Sequence, residues 1–188
     1  MPTQSKEAPG DLAAVRAFVN TLDIDHGKEE LGDPAELAAW LAAHGLLEEG
    51  AKTTAADLRR ATRLREALRE LLLSNNDGRP VPAAAARVLD DVAARARLRL
   101  RVDGDGSARL EAEGHGVDSA LGRLLVIVYR AMETDTWTRL KACRDDTCKW
   151  AFYDHSKNRS GHWCSMAVCG SREKNRRAYR RRVARAAS

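Results

Sequence analysis

Apolar residues recur at helical spacing over the first three quarters of the chain. The pattern predicts five amphipathic helices, which begin near residues 11, 34, 55, 82 and 117, the first of them over 11–22. Two carry start signals, since Asp33 precedes Pro34 as an N-cap and Thr54 and Asp57 have capping-box spacing. Between residues 98 and 113 the apolar period changes to alternation on either side of a Gly- and Asp-rich turn, which predicts a β-hairpin with one solvated face.

The aliphatic pattern stops near Leu140. No Leu or Ile follows this residue, whereas five of the nine aromatic residues do: Trp150, Phe152, Tyr153, Trp163 and Tyr179. The run 150–153 predicts a strand, 158–161 its turn and Trp163 the returning strand, with a helix from about Ser165 onwards. We therefore expect a disordered segment at 1–10, a helical domain with a hairpin at 11–136, and a smaller module at 137–188.

Charge divides the chain at the same place. The net charge is +5, but residues 141–188 hold 13 Lys or Arg and 4 Asp or Glu, a balance of +9, which leaves −4 for residues 1–140. Arginine (25) outnumbers lysine (7) and alanine is abundant, a composition that suggests a bacterium with a GC-rich genome. The basic end favours an acidic partner such as a nucleic acid.

No segment predicts a membrane partner. The longest aliphatic run, 124–128, is far too short to span a bilayer, and residues 1–10 lack the apolar stretch of a signal peptide. We therefore expect a cytoplasmic protein, in which four cysteines face reducing conditions.

All four cysteines fall within 27 residues, as Cys143-x4-Cys148 and, after fifteen residues, Cys164-x4-Cys169. Two equal pairs with a short spacer are typical of a structural zinc site, and a segment with so few aliphatic residues needs such a brace. Two disulfides, four free thiols, and substitution of a ligand by His155 or His162 are the alternatives. The predicted fold class is thus α+β, mostly helical, with a helical domain and hairpin followed by a zinc-braced hairpin-plus-helix module holding one zinc ion.

The residues do not predict an enzyme. A closed four-thiolate site leaves no coordination position for water or substrate. The chain also lacks a Gly-rich phosphate loop, a nucleophile elbow and suggestively paired carboxylates.

The C-terminal helix is the candidate nucleic-acid surface. Its predicted contacts are Arg172, Lys174, Arg176, Arg177, Arg180 and Arg181. We expect DNA as the partner. The alternatives are RNA, a protein partner docked by the finger, a helix that is merely solubilising, and single-stranded bases stacked on the aromatic residues Trp150, Phe152, Tyr153 and Trp163. For Arg172 the alternative is an ion pair inside the module, with Asp154 as a candidate.

Two stretches of the C-terminal module carry a family resemblance. They read Arg139-Leu140-Lys141-x-Cys143-x4-Cys148-x-Trp150-x-Phe152-Tyr153-Asp154-x-Ser156-Lys157-Asn158-x-Ser160 and Trp163-Cys164-Ser165-Met166-x2-Cys169-Gly170-x-Arg172-x-Lys174. They resemble the CGNR zinc finger, which in bacteria follows an ABATE domain, and Phe18-Val19-Asn20-Thr21 and Leu37-x2-Trp40-Leu41 are similar to the start of that domain.

The resemblance implies that the four cysteines bind zinc and that the module binds DNA in a stress-related transcription regulator. Ser171 stands where the CGNR motif has asparagine, so a contact that needs the asparagine carboxamide is not implied here. For the N-terminal domain, binding of a small effector and formation of a homodimer both stay open, because its residues mark no pocket that would decide between them.

Overall fold

The structure, a computed structural model, describes residues 6–186. Within this range it contains six α-helices, a 3-10 helix (Trp137–Arg139), a π-helical turn (Met166–Gly170) and three two-stranded antiparallel sheets. The helices are α1 (Leu12–Val19), α2 (Pro34–Ala43), α3 (Ala55–Asp77), α4 (Ala83–Arg95), α5 (Gly116–Glu133) and α6 (Ser171–Ala186). The strands are β1 (Leu22–Asp23), β2 (Lys28–Glu29), β3 (Leu98–Val102), β4 (Ala108–Ala112), β5 (Leu140–Ala142) and β6 (Ala151–Tyr153). The predicted α+β, mostly helical fold is confirmed.

Local signals set the helix ends. The Asp33 carboxylate accepts from the backbone N–H of Glu36 at 2.8 Å, and Thr54 and Asp57 form the reciprocal capping box that opens α3. Helix α3 ends at Gly78, whose φ of 71° is the left-handed conformation that glycine adopts most easily. Helix α1 is shorter than predicted because Asn20 leaves the helix and uses its side chain elsewhere.

Helices α1, α3 and α5 supply most of the core, with α4 packed against α3 and α5. Their fully buried side chains include Val15, Phe18, Leu64, Leu68, Leu72, Leu121 and Leu124. The β3–β4 hairpin lies on α5, where Gly122 allows close approach: a Cβ at this position would lie 3.1 Å from the Cβ of Ala112 in β4, and 2.3 Å from the Cβ of Ala96 directly after α4. None of the helices within residues 6–186 is both long and apolar enough to cross a membrane.

The core continues across the predicted module boundary. Leu140, Ala142, Ala151 and Tyr153, in β5 and β6, belong to the same buried cluster as the N-terminal helices. Strand β5 packs against α3, where Asn75 Nδ2 donates to the carbonyl oxygen of Leu140 at 2.9 Å. The two predicted modules therefore share one hydrophobic core, a feature that the change in composition near residue 140 did not indicate.

Strand β6 has a different partner from the one predicted. It pairs with β5, in the register Leu140 to Tyr153, and residues 158–165 contain no strand. Instead this segment folds over the ammonium group of Lys141, which donates to the carbonyl oxygens of Arg159 and Gly161.

The predicted disorder at 1–10 does not extend to residues 6–8, while residues 1–5 lie outside the described residues. The carbonyl oxygen of Lys6 accepts from the N–H of Tyr153 at 2.9 Å, and its ammonium lies 4.5 Å from the ring centre of Phe152. Ala8 is 7% exposed. The open edge of β6 needs a hydrogen-bond acceptor, and Lys6 supplies it.

Candidate metal centre and basic helix

The structure brings the four cysteines of the sequence motif together. Their sulfur atoms all lie within 4.8 Å of one another, with Cys148 and Cys164 at 3.5 Å and Cys164 and Cys169 at 3.6 Å. A disulfide needs about 2.05 Å, and all four cysteines are free. Four thiolates around a zinc ion at about 2.3 Å lie roughly 3.8 Å apart, so the cluster has the dimensions of a tetrahedral zinc site.

Two tight turns position the sulfur atoms. Cys143 follows β5 and Cys148 precedes β6, and between them the carbonyl oxygen of Asp145 accepts from the N–H groups of Cys148 and Lys149 at 2.8 and 3.0 Å. Cys169 lies in a π-helical turn, Met166–Gly170, which leads directly into α6. The geometry of the cluster therefore fixes the start of α6.

The chemistry of the donors also fits a divalent cation. Hydrogen bonds from the thiols of Cys148 and Cys164 lower the pKa of Cys143, whereas the same contacts with Cys143 raise the pKa of Cys148 and of Cys164. The cluster thus favours one thiolate and resists a second beside it. Four thiolates at this spacing require a bound cation, and zinc prefers such a donor set.

The two candidate histidines lie outside this cluster. His155 Nε2 contacts the carbonyl oxygen of Glu7 at 2.9 Å, and His162 Nδ1 contacts Asn76 Oδ1 at 2.7 Å. Burial and the charges of Arg144 and Lys141 lower the pKa of His162. Among the described residues, the group that could hold a metal consists of the four cysteines.

Polar side chains of the N-terminal domain hold the finger in place. The Asn20 amide pairs with both backbone groups of Ala151, donating to the carbonyl oxygen at 2.9 Å and accepting from the N–H at 2.7 Å. Arg69, 2% exposed, joins the carbonyl oxygens of Val19 and Lys149 at 2.8 and 3.1 Å. No periodicity or motif chemistry marks Asn20 or Arg69 as a contact of the finger, although Asn20 lies inside the stretch that carries the ABATE resemblance.

Arg172 forms ion pairs, but not with Asp154, so that candidate partner is wrong. Its guanidinium binds both carboxylate oxygens of Asp25, at 2.8 and 2.5 Å, and lies 3.5 Å from Asp145. Asp154 is paired instead with Lys141 at 2.8 Å, and both side chains are almost fully buried. Lys141 lies in the middle of β5 and Asp154 directly follows β6, so the pairing of the two strands brings their opposite charges together.

Asp145 holds the first turns of α6 through contacts with its arginines. Its side chain is 0% exposed and accepts from Arg176 at 3.1 Å. Burial alone would raise the pKa of Asp145, but hydrogen bonds from Thr147 and Arg176 outweigh it and the pKa is lowered. Asp145 is therefore a buried carboxylate that links the first cysteine pair to the helix.

The six predicted nucleic-acid contacts divide into two groups. Arg172 and Arg176 pair as described above, and Glu173 also binds Arg177 and Arg180 at 2.7 and 3.3 Å. Lys174 and Arg181 have no carboxylate within ion-pair distance among residues 6–186, and the same holds for Arg182 and Arg185, which the predicted set left out. All residues from 177 to 185 are exposed.

The aromatic residues of the finger are core residues. Phe152 and Tyr153 are 1% and 6% exposed, and Trp150 and Trp163 pack against the cysteine cluster. Tyr179 on α6 is the exception, at 62% exposure. These positions leave no platform of stacked rings around the cysteine cluster.

The fold and the site define a zinc-finger protein in which a four-cysteine finger follows a mostly helical domain. Residues 12–137 match the family model of ABATE, described as "Putative stress-induced transcription regulator", and residues 139–182 match the CGNR zinc finger. The chain therefore belongs to the ABATE family and carries a CGNR zinc finger at its C-terminal end, as the resemblance indicated. No curated protein matches the chain.

Proposed function

We propose that the protein is a transcription regulator that binds duplex DNA through α6. One observation carries this proposal above the others: the distal part of α6, residues 177–185, is exposed on every side and holds Arg181, Arg182 and Arg185 outside the ion pairs. The fold does not use this surface. A polyanion is the partner that its charge fits.

The charge of α6 supports a nucleic acid. The helix spans 16 residues, or about 24 Å, and contains eight Lys or Arg against one acid, Glu173. Its first turn is fixed by the cysteine cluster and by Asp145, so the helix is a rigid projection. A helix that only improved solubility would not need this anchoring.

Its shape favours duplex DNA over RNA or single strands. The major groove of B-DNA is about 12 Å wide and admits a helix, whereas the major groove of A-form RNA is too narrow for side chains to read. Single strands are bound on stacked aromatic rings, and the rings around the cysteine cluster are buried or half-buried, which leaves Tyr179 as a single exposed ring on α6. Such a regulator works in the cytoplasm of a bacterium, where the chromosome lies.

A protein partner is the second candidate, because α6 also exposes apolar groups. Tyr179 and Val183, one turn apart, are 62% and 49% exposed. A helix that docks a protein would use this pair, and its binding would depend weakly on salt. Both matched families are of regulator and zinc-finger type, and we propose no catalytic activity.

Salt titration of duplex binding tests the proposal. If the four unpaired basic residues meet phosphates, log K falls with log salt at a slope near −3.6, a loss of about 150-fold between roughly 50 and 200 mM salt. The variant R181A/R182A/R185A is expected to lower the slope to about −0.9. As a matched control, R63A/R87A/R130A removes three exposed arginines from the N-terminal domain and is expected to leave the slope unchanged. Equal slopes for the two triple variants would contradict the proposal.

A further inference from the structure

We propose that Asp25, in the N-terminal domain, is a positioning residue for α6. Its ion pair with Arg172 holds the helix so that Lys174, Arg181 and Arg185 face the DNA. This inference rests on the proposed function of α6, and it assigns Arg172 to orientation of the helix instead of contact with DNA.

The base of this contact is rigid. Asp25 lies in the turn between β1 and β2. Glu29, in β2, accepts two hydrogen bonds from Arg65, at 2.7 and 2.8 Å. Arg65 itself is 3% exposed and also donates to Thr21 at 3.1 Å. The turn that carries Asp25 is therefore tied to the core through α3.

The contact itself fixes an angle as well as a distance. Both terminal guanidinium nitrogens of Arg172, Nη1 and Nη2, donate to Asp25, a two-point geometry that a single ammonium group cannot reproduce. One turn further on, Arg176 binds the buried carboxylate of Asp145 at 3.1 Å. Two arginines on one face of α6 are thus held by two separate parts of the molecule.

The face of α6 opposite Arg172 is the one that we assign to DNA. At 3.6 residues per turn, Lys174, Arg181 and Arg185 lie about 180–220° around the helix from Arg172. Arg177 and Arg180 lie between the two faces, where Glu173 binds both. Three of the four unpaired basic side chains therefore form one stripe opposite Arg172, and Arg182 lies beside this stripe at about 280°.

Removal of the Asp25 charge distinguishes two effects of this residue on DNA affinity: orientation of α6 and electrostatic repulsion of the DNA. Removing an acidic residue near a basic surface strengthens binding to a polyanion if charge alone matters. If Asp25 orients α6, its removal weakens binding instead. The sign of the change therefore decides between the two.

The test uses the full-length, zinc-loaded protein and a labelled duplex. D25N is expected to weaken duplex affinity about tenfold, and R172K, which keeps the charge but loses the two-point contact, about as much. The control E30Q removes the same charge directly after β2, where Glu30 pairs with Lys28 at 3.6 Å, and is expected to change affinity less than about twofold. The double variant D25N/R172K is expected to lose no more than either single variant.

Other outcomes overturn the inference. Unchanged or tighter binding by D25N, or unchanged binding by R172K, would mean that the pair does not orient the helix. A loss of zinc or a lower melting temperature in both variants would assign the pair to folding. R181A reports on the proposed function separately: if it leaves affinity and salt slope unchanged, α6 does not meet DNA, whatever D25N does.

Discussion

Replacing Asn20 with alanine should detach the finger from the helical domain at a single point. The buried Asn20 amide, 8% exposed, satisfies the N–H and the carbonyl of Ala151, the first residue of β6. Ala151 is 0% exposed, so alanine at position 20 leaves two buried backbone groups without partners.

The magnitude follows from those two groups. Each unsatisfied buried donor or acceptor costs about 1–3 kcal/mol, and partial access of water brings the expected loss to about 2–4 kcal/mol in the free energy of unfolding. For a chain of this size, that loss lowers the melting temperature by roughly 5–15 °C. Asn158, an exposed residue of the same finger, provides the matched control, and N158A is expected to stay within about 0.5 kcal/mol of the parent.

Urea unfolding in excess zinc measures the change. Circular dichroism follows the helices, and tryptophan fluorescence includes Trp150 and Trp163 next to the cysteines. We expect one transition by both probes, shifted to lower urea in N20A. A change below about 0.5 kcal/mol would refute the reasoning, because it would mean that Asn20 does not hold β6.

Three further predictions concern the shared core, a buried pair and a close approach. C164S should lower the urea midpoint of both probes together, since β5 and β6 belong to the common core, and a finger transition separate from the helical one would contradict this. The pKa of Asp154 is lowered: burial raises it, but hydrogen bonds from Lys141 and Ser156 prevail, so the pair stabilises the fold above about pH 4 and less as pH falls further. D154N should therefore be less stable than the parent by about 3–5 kcal/mol at pH 7, and this difference in stability should become smaller below pH 4. A difference in stability that does not depend on pH would show that the charge of Asp154 does not stabilise the fold. G122A should lower the free energy of unfolding by about 1–3 kcal/mol, because the added Cβ would clash with the Cβ of Ala96. The control G104A has open space around the added Cβ and should change the stability little. Equal stability of the two variants would show that α5 and the end of α4 can move apart.

Elements with local signals could be predicted from the sequence. Asp33, Thr54 and Gly78 act on the backbone within a few residues of themselves, and the helices that they bound are found where expected. The cysteine spacing likewise encodes two tight turns, which the structure places side by side. In each case the interaction energy comes from neighbours in sequence.

Contacts between distant polar residues could not be predicted in the same way. Asn20 and Ala151 are 131 positions apart, and Asp25 and Arg172 are 147 apart. Asn20 and Asp25 are residue types that usually lie in solvated turns, and no periodicity marks their partners. The shift in composition at Leu140 reflects a change in charge and side-chain type, while the core itself continues through Leu140 and Tyr153.

Selection from a pool of random duplexes tests the central claim most directly. The zinc-loaded protein is incubated with the pool at about physiological salt, bound duplexes are recovered and amplified over several rounds, and the enriched sequences are compared with those recovered by R181A/R182A/R185A. A single helix in the major groove reads about three base pairs, so we expect convergence on a short motif with the parent protein and none with the triple variant. A bound fraction with the sequence composition of the input, or the same motif with both proteins, would contradict the account of α6 as a DNA-reading helix.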